Sequence, residues 1–267
     1  MLNVNRIVLL ILFLLPCLCP QDTHAQGLAR RGGFGVQMQA NAKGKGIEVL
    51  KVYGNTTASA MGLLEGDILL SINNQACNDV SELVTTIGTW RAGDEIRVSV
   101  NRKGKEIKAF AKVVGKPFET SDYGTLSYGS VDYAGGKLRT ILSTPNNVDN
   151  PPVLFFIQGI GCASIEFPFG SNSTVKLLIE AFLKQGVAVF RIEKPGMGDS
   201  FGAIDCREMD YPHEVGAFAA GLKQLKSIPG FDAGNIYLFG ESLGAITAPL
   251  LAGKSQVAGI IAWGGIS

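Results

Sequence analysis

Residues 235–244 read Asn235-Ile236-Tyr237-Leu238-Phe239-Gly240-Glu241-Ser242-Leu243-Gly244. An apolar run of strand length enters a G-x-S-x-G turn. Ala245, Ile246, Leu250 and Leu251 then carry the apolar positions of a helix that starts at once, with Pro249 expected to bend or shorten it. A sharp strand-to-helix turn lifts a serine hydroxyl clear of a sheet, which makes Ser242 the candidate nucleophile. That hydroxyl is unreactive at neutral pH until a base takes its proton. The pattern recurs at Gly198-Asp199-Ser200-Phe201-Gly202, but Pro195 and Gly196 break any strand before it and a polar loop follows. Ser200 therefore lacks the elbow context.

Outward from Ser242 the chain alternates strand and helix patterns: strand 153–158, helix 174–185, strand 187–193, helix 213–225, strand 236–240, the helix from Leu243, and strand 257–263. The strands are apolar throughout, as parallel strands covered on both faces are. Before them, 125–133 and 137–144 read as a hairpin turned by Ala134-Gly135-Gly136.

This order, with Ser242 after the third parallel strand, resembles the α/β-hydrolase family. Two further segments carry the resemblance. Gln158-Gly159-Ile160-Gly161 stands where the family commonly has His-Gly, and Glu193-Lys194-Pro195-Gly196-Met197-Gly198-Asp199-Ser200 is similar to its D-x-x-G-x-G-x-S loop, whose usual role is structural. The resemblance implies a mostly parallel sheet with helices on both faces and an oxyanion hole made by the backbone N–H groups of Ile160 and Leu243. It also implies hydrolysis of an ester, or second an amide as in a peptidase, through an acyl-enzyme on Ser242. In this family the triad acid and base follow the serine. His24 precedes the mature chain, His213 opens a helix before the nucleophile, and Asp199, Asp205 and Asp210 share that order problem. The expectation is an N-terminal fragment of a longer hydrolase, inactive by itself, at residues 118–267. The alternative is a relic domain on a non-catalytic peptide-binding protein.

Residues 26–117 differ in kind. Short β patterns at 35–38, 47–52, 67–72, 96–100 and 107–113 surround one helix at 79–87, where Val80, Leu83, Val84 and Ile87 fall on one face and Asp79 with Glu82 suggests a capping box. The run from Ala58 to Asn74, containing Gly62-Leu63-Leu64-Glu65-Gly66-Asp67, resembles the core signature of bacterial PDZ domains. That resemblance implies a groove in which a peptide adds a strand and its carboxylate meets the loop Gly33-Phe34-Gly35-Val36, with Val80, Leu83 and Val84 as the helix wall. A free peptide, internal docking on the next domain and a vestigial groove all remain open.

The first 25 residues read as a secretory signal peptide: a short basic start, an apolar run at 7–15, and small residues before a cleavage site after Ala25. The run is well below the ~20 residues that span a bilayer, so the mature chain is expected to be periplasmic or extracellular without a membrane span. With 46% apolar and 18% charged residues and a formal net charge of +1, nothing suits a nucleic-acid partner. Export makes pairing of the mature cysteines worth weighing. Cys162 and Cys206 each follow a parallel strand on the expected active-site rim, and a bridge between them would leave Cys77 alone; free buried thiols are the alternative. No C-x-x-C or paired histidines suggest a metal, and no cofactor is expected.

Overall fold

The computed structural model describes residues 28–202 and 204–265. The signal-peptide reading lies outside those residues. Two sheets follow one another along the chain. The first takes strands β1 (Val36–Ala40), β2 (Ile47–Val52), β3 (Ile68–Ile72), β4 (Gln75–Ala76), β5 (Glu95–Arg102) and β6 (Lys105–Lys112). All its pairings are antiparallel, in the order β1-β2-β3-β5-β6 with β4 on β3. A short helix α1 (Thr57–Ala60) and the longer α2 (Val80–Thr89) complete the unit. Its core gathers Ile47, Val49, Leu69, Leu83, Val98 and Val100, with Phe34 edge-on to Trp90 at 5.5 Å. The sequence pattern misses α1 because four residues are too few to show a helical period; Thr56 and Ser59 close its capping box instead. At α2 the Asp79 carboxylate accepts the N–H groups of both Ser81 and Glu82.

The second sheet contains β7 (Gly124–Tyr133), β8 (Gly136–Pro145), β9 (Val153–Ile157), β10 (Ala188–Ile192), β11 (Ile236–Glu241) and β12 (Gly259–Trp263), in the order β12-β11-β9-β10-β8-β7. β7, β8 and β10 pair antiparallel, while β10, β9, β11 and β12 run parallel. Alternation along the strands divides their side chains between two cores. Phe155, Ile157, Phe190 and Leu238 face helices α4 (Tyr211–Lys226) and α5 (Leu243–Ala252), whereas Leu154, Phe156, Val189 and Phe239 face α3 (Thr174–Lys184). That double burial is why the central strands are mostly apolar, with the buried Arg191 of β10 paired to Glu119. Helix α4 begins at Tyr211, ahead of the expected 213, because the Asp210 side chain accepts the His213 N–H and Pro212 suits a first turn. Pro249 does not end α5, which continues to Ala252.

Buried ion pairs bind the two sheets' loops together. Arg30, just before the first sheet, reaches Glu166 at 2.6 Å and Asp199 at 2.8 Å, and its guanidinium lies 4.4 Å from the Phe118 ring centroid. Arg31 gives its backbone N–H to Asp199 and its guanidinium to the carbonyls of Gly88, Gly196 and Gly198. From within the second sheet Arg139 closes on the same Asp199 carboxylate at 3.0 Å. Burial pushes Asp199 up, but the Arg31 N–H and the Arg30 and Arg139 guanidinium groups prevail and hold it below the ordinary carboxylate range.

Asp199→Ala should leave the Arg139 cation, 2% exposed, without its partner. Removing one member of a buried pair costs about 3–5 kcal/mol, and chemical denaturation should show a loss of that size. A loss below about 1 kcal/mol, the range of surface pairs, would contradict this account of the interface.

Candidate functional site

Ser242 sits between β11 and α5 with φ 52° and ψ −115°. The left-handed φ is unusual for any residue with a Cβ and marks stored backbone strain. The crowding around it explains the flanking glycines. A Cβ on residue 240 would stand 2.2 Å from the Gly244 carbonyl oxygen, and one on residue 244 would stand 2.1 Å from that of Ile157. With those two side chains absent, α5 drops directly onto the end of β9 and the Ser242 side chain stays exposed on the rim. The Ser242 N–H donates to the Trp263 carbonyl and its own carbonyl accepts from Ala245, each at 2.9 Å.

Gly159 lies against the serine. A Cβ there would be 3.0 Å from Ser242 Cβ and 3.5 Å from Oγ, so the loop after β9 passes beside the hydroxyl. Neither the Ile160 nor the Leu243 N–H donates to a protein acceptor among the described residues. The Leu243 N–H opens α5, where the helix dipole adds positive potential. Ile160 itself is 76% exposed. Gln158, at the family's histidine position, is buried and its amide reaches only the Gly161 carbonyl, at 3.5 Å. Cys162 and Cys206 form a disulfide with Cα atoms 5.8 Å apart, tying this loop to the segment before α4, while Cys77 is a buried thiol in the first sheet's core.

The other sequence candidates stand elsewhere. His213 Nδ1 contacts Asp210 Oδ1 at 2.5 Å on the exposed start of α4, and its carbonyl accepts the Tyr133 hydroxyl. Among the described residues no histidine is hydrogen-bonded to Ser242. Ser200 is fully buried; its Oγ accepts the Arg139 N–H and donates to the Glu193 carbonyl, which makes it a loop staple. No group of three His, Cys, Asp or Glu side chains among the described residues could hold a metal ion. Sequence reading passed over Lys194, which is buried with its ammonium on Gly159 and Glu214. Its partners lie 35 and 20 residues away, so no local pattern marks it.

On the first sheet, β1 is an edge strand, so the side facing away from β2 is open to another strand. The loop before it turns at Gly35, φ +81°, where a Cβ would collide with Thr56. Its Phe34 and Gly35 N–H groups have no protein acceptor among the described residues, while the Gly33 and Phe34 carbonyls are held by Thr57 Oγ1 and Ala58 N. Val80 is half-buried and Val84 is 55% exposed, but Leu83 is 4% exposed and belongs to the core. Leu83 is therefore corrected from groove wall to core: it lies at the inner edge of the apolar face, with Val80 and Ile87 partly buried against the same core and Val84 turned to solvent.

Residues 32–113 match the PDZ domain family model, and this part of the chain is a PDZ domain. Among curated relatives, the serine protease Do-like HtrA of Lactobacillus helveticus is 28% identical over 90 residues, 34% of this chain and 22% of the relative. A probable periplasmic serine endoprotease DegP-like of Bartonella henselae is 29% identical over 107 residues, 36% and 21% respectively. The serine endoprotease DegS of Haemophilus influenzae is 31% identical over 80 residues, 30% and 24%. The chain thus spans about a fifth to a quarter of the length of the curated relatives it matches. Of solved structures, the HtrA-type protease AlgW with decapeptide is 30% identical and covers 33% of this chain and 30% of its own, TM-score 0.32. An esterase of Pyrococcus furiosus is 20% identical and covers 56% and 55%, TM-score 0.43. The chain is a PDZ-containing protein whose matched relatives are serine endoproteases. No helix among the described residues is long and apolar enough to cross a membrane.

Beneath the rim, burial pushes the Glu193 carboxyl up to about 7 against the donors Ser164 Oγ and Ile165 N–H. An ordinary glutamate titrates at 4.5. Between those values the folded chain keeps a proton that the unfolded chain has released, so this group's contribution to stability falls as pH rises through the window. The carboxylates Asp199 and Glu119 are instead held below their ordinary range, so their contribution is lost only on further acidification. Urea titrations from pH 4.5 to 7 should show Glu193 costing the wild type about 3 kcal/mol across that window, and Glu193→Gln should flatten the decline. An unaltered slope in the variant would refute the shifted carboxyl.

Proposed function

We propose that this protein is an exported serine hydrolase of α/β-hydrolase type, with Ser242 as nucleophile and the PDZ groove as a peptide-binding site. The observation that carries the reading is the strained Ser242 elbow, with φ 52° at the junction of a parallel strand and a helix and an exposed side chain. The strand order β12-β11-β9-β10-β8-β7, with the serine leaving β11, supports it. In this reading Ser242 Oγ attacks an ester or amide carbonyl, and the charge that develops on the carbonyl oxygen is met by the Leu243 and Ile160 N–H groups. Donors of this kind are each worth ~3–4 kcal/mol of barrier. Esters rank before peptides as substrates by the sheet's topology, while the PDZ domain and the proteases that share it favour a peptide. His213, the histidine among the described residues, bonds Asp210 and does not reach Ser242. The names of the periplasmic relatives accord with export.

Fluorophosphonate should modify the native protein at Ser242. Ser242→Ala should lose the label, and Ser200→Ala should keep it if the protein folds. A label that survives Ser242→Ala would overturn the assignment.

The open β1 edge and the free Phe34 and Gly35 N–H groups support capture of a peptide with a hydrophobic C-terminal residue and a free carboxylate. A library of such peptides should yield binders whose affinity falls at least tenfold on C-terminal amidation and on Val84→Lys. Binding indifferent to both changes would exclude this groove.

A further inference from the structure

Lys194 is 1% exposed, and burying an ammonium costs several kcal/mol unless its protons are well placed. One proton goes to Glu214 Oε1 on the first turn of α4 at 2.7 Å, which balances the charge. Another goes to the Gly159 carbonyl oxygen, also at 2.7 Å. The opposite end of that same peptide unit is the Ile160 N–H, which has no acceptor among the described residues, and Gly159 is packed against Ser242. The remaining face of the ammonium looks toward the Phe218 ring, 6.0 Å from its centroid.

We infer that Lys194 is a positioning residue for the oxyanion hole: its ammonium on the Gly159 carbonyl sets the plane of the 159–160 peptide and polarises it, making the Ile160 N–H a better aimed and stronger donor. The physical basis is that a peptide unit is planar and conjugated. A cation held on the oxygen therefore fixes the direction of the N–H and draws electrons from it, and hydrogen bonds in series strengthen one another in a low-dielectric site. Glu214 holds the ammonium in place from α4, and the Cys162–Cys206 bridge holds the far side of the same loop. If Lys194 only neutralised Glu214, the second proton would not need to fall on this carbonyl. The inference rests on the reading of Ser242 as nucleophile.

Two measurements on the native protein separate the inference from that reading. The first is the amide proton resonance of Ile160 in isotope-labelled protein, which needs no catalysis. Lys194→Met should move it upfield, as loss of a cation from the Gly159 oxygen requires. The second is the rate of fluorophosphonate labelling at Ser242, taken well below the unfolding midpoint of each variant. Lys194→Met should slow it about tenfold or more, short of the 10²–10³-fold typical when an oxyanion donor is deleted outright. Should Lys194→Met fail to fold, Glu214→Gln loosens the ammonium without emptying its site and should shift the same resonance and slow labelling severalfold. A wild type that labels while its folded variants keep both the resonance and the rate would overturn the role of Lys194. A resonance that moves in a protein that never labels would instead discard Ser242 as nucleophile, and with it any catalytic use of the hold on Gly159.

Discussion

Helix α5 can begin at Leu243 only because residues 240 and 244 carry no side chain. A methyl group at either would stand about 2 Å from a backbone atom, far inside contact distance, with no side chain to give way. This steric constraint brings the first turn of α5 onto the end of β9 and forces the intervening serine into a backbone conformation it would otherwise avoid. From the same approach come the exposure of Ser242, the contact with Gly159 and the two unspent N–H groups. Packing of α4 and α5 over Phe155, Phe190 and Leu238 on one face, with α3 over Phe156 and Phe239 on the other, keeps the strained turn from relaxing.

The loops above the sheet are held by charge rather than by apolar burial. Glu119, on the segment leading into the second sheet, meets Arg191 at 3.0 Å and Lys176 at 2.9 Å. Burial pushes the Glu119 carboxyl up, yet Arg191 and Lys176 outweigh it and hold it low. Asp199 likewise meets Arg30 and Arg139, and Glu214 meets Lys194. Each cluster joins segments distant in sequence. Because a buried charge without a partner is costly, losing one member of such a pair destabilises more than the intact pair contributes. Arg31 extends the arrangement to the PDZ domain, since its guanidinium holds the carbonyl of Gly88 near the end of α2 together with those of Gly196 and Gly198. Arg31 thus bridges the end of α2 to the loop that carries Gly196 and Gly198.

Much of the secondary structure is legible from local pattern alone. The period-two and through-apolar runs locate the strands, and the shift from isolated β patterns to strict strand-helix alternation near residue 117 separates a β-rich unit from a mixed sheet. The glycine-serine-glycine turn points to residue 242. Local pattern fails where two faces compete. The i, i+3, i+4, i+7 set on α2 puts Leu83 beside Val80 and Val84 on a helical wheel, but a helix between a core and an open groove is apolar on both sides, and sequence does not say which side each residue takes. Pro249 misleads for a related reason: tertiary packing carries α5 across a residue that would break an isolated helix.

By itself the sequence determined the kind and order of the elements, the PDZ signature and the serine at the elbow, because these depend on residues within a few positions of one another. Only the tertiary structure decided which charges meet and which peptide units face the serine. Arg30 and Asp199 are 169 positions apart, and Arg139 and Asp199 are 60. Lys194 reaches Gly159 across 35 residues that hold α3 and β10. No periodicity encodes such partners. They are chosen by the cost of leaving a buried charge or carbonyl unpaired, and that cost exists only once the chain has closed around them.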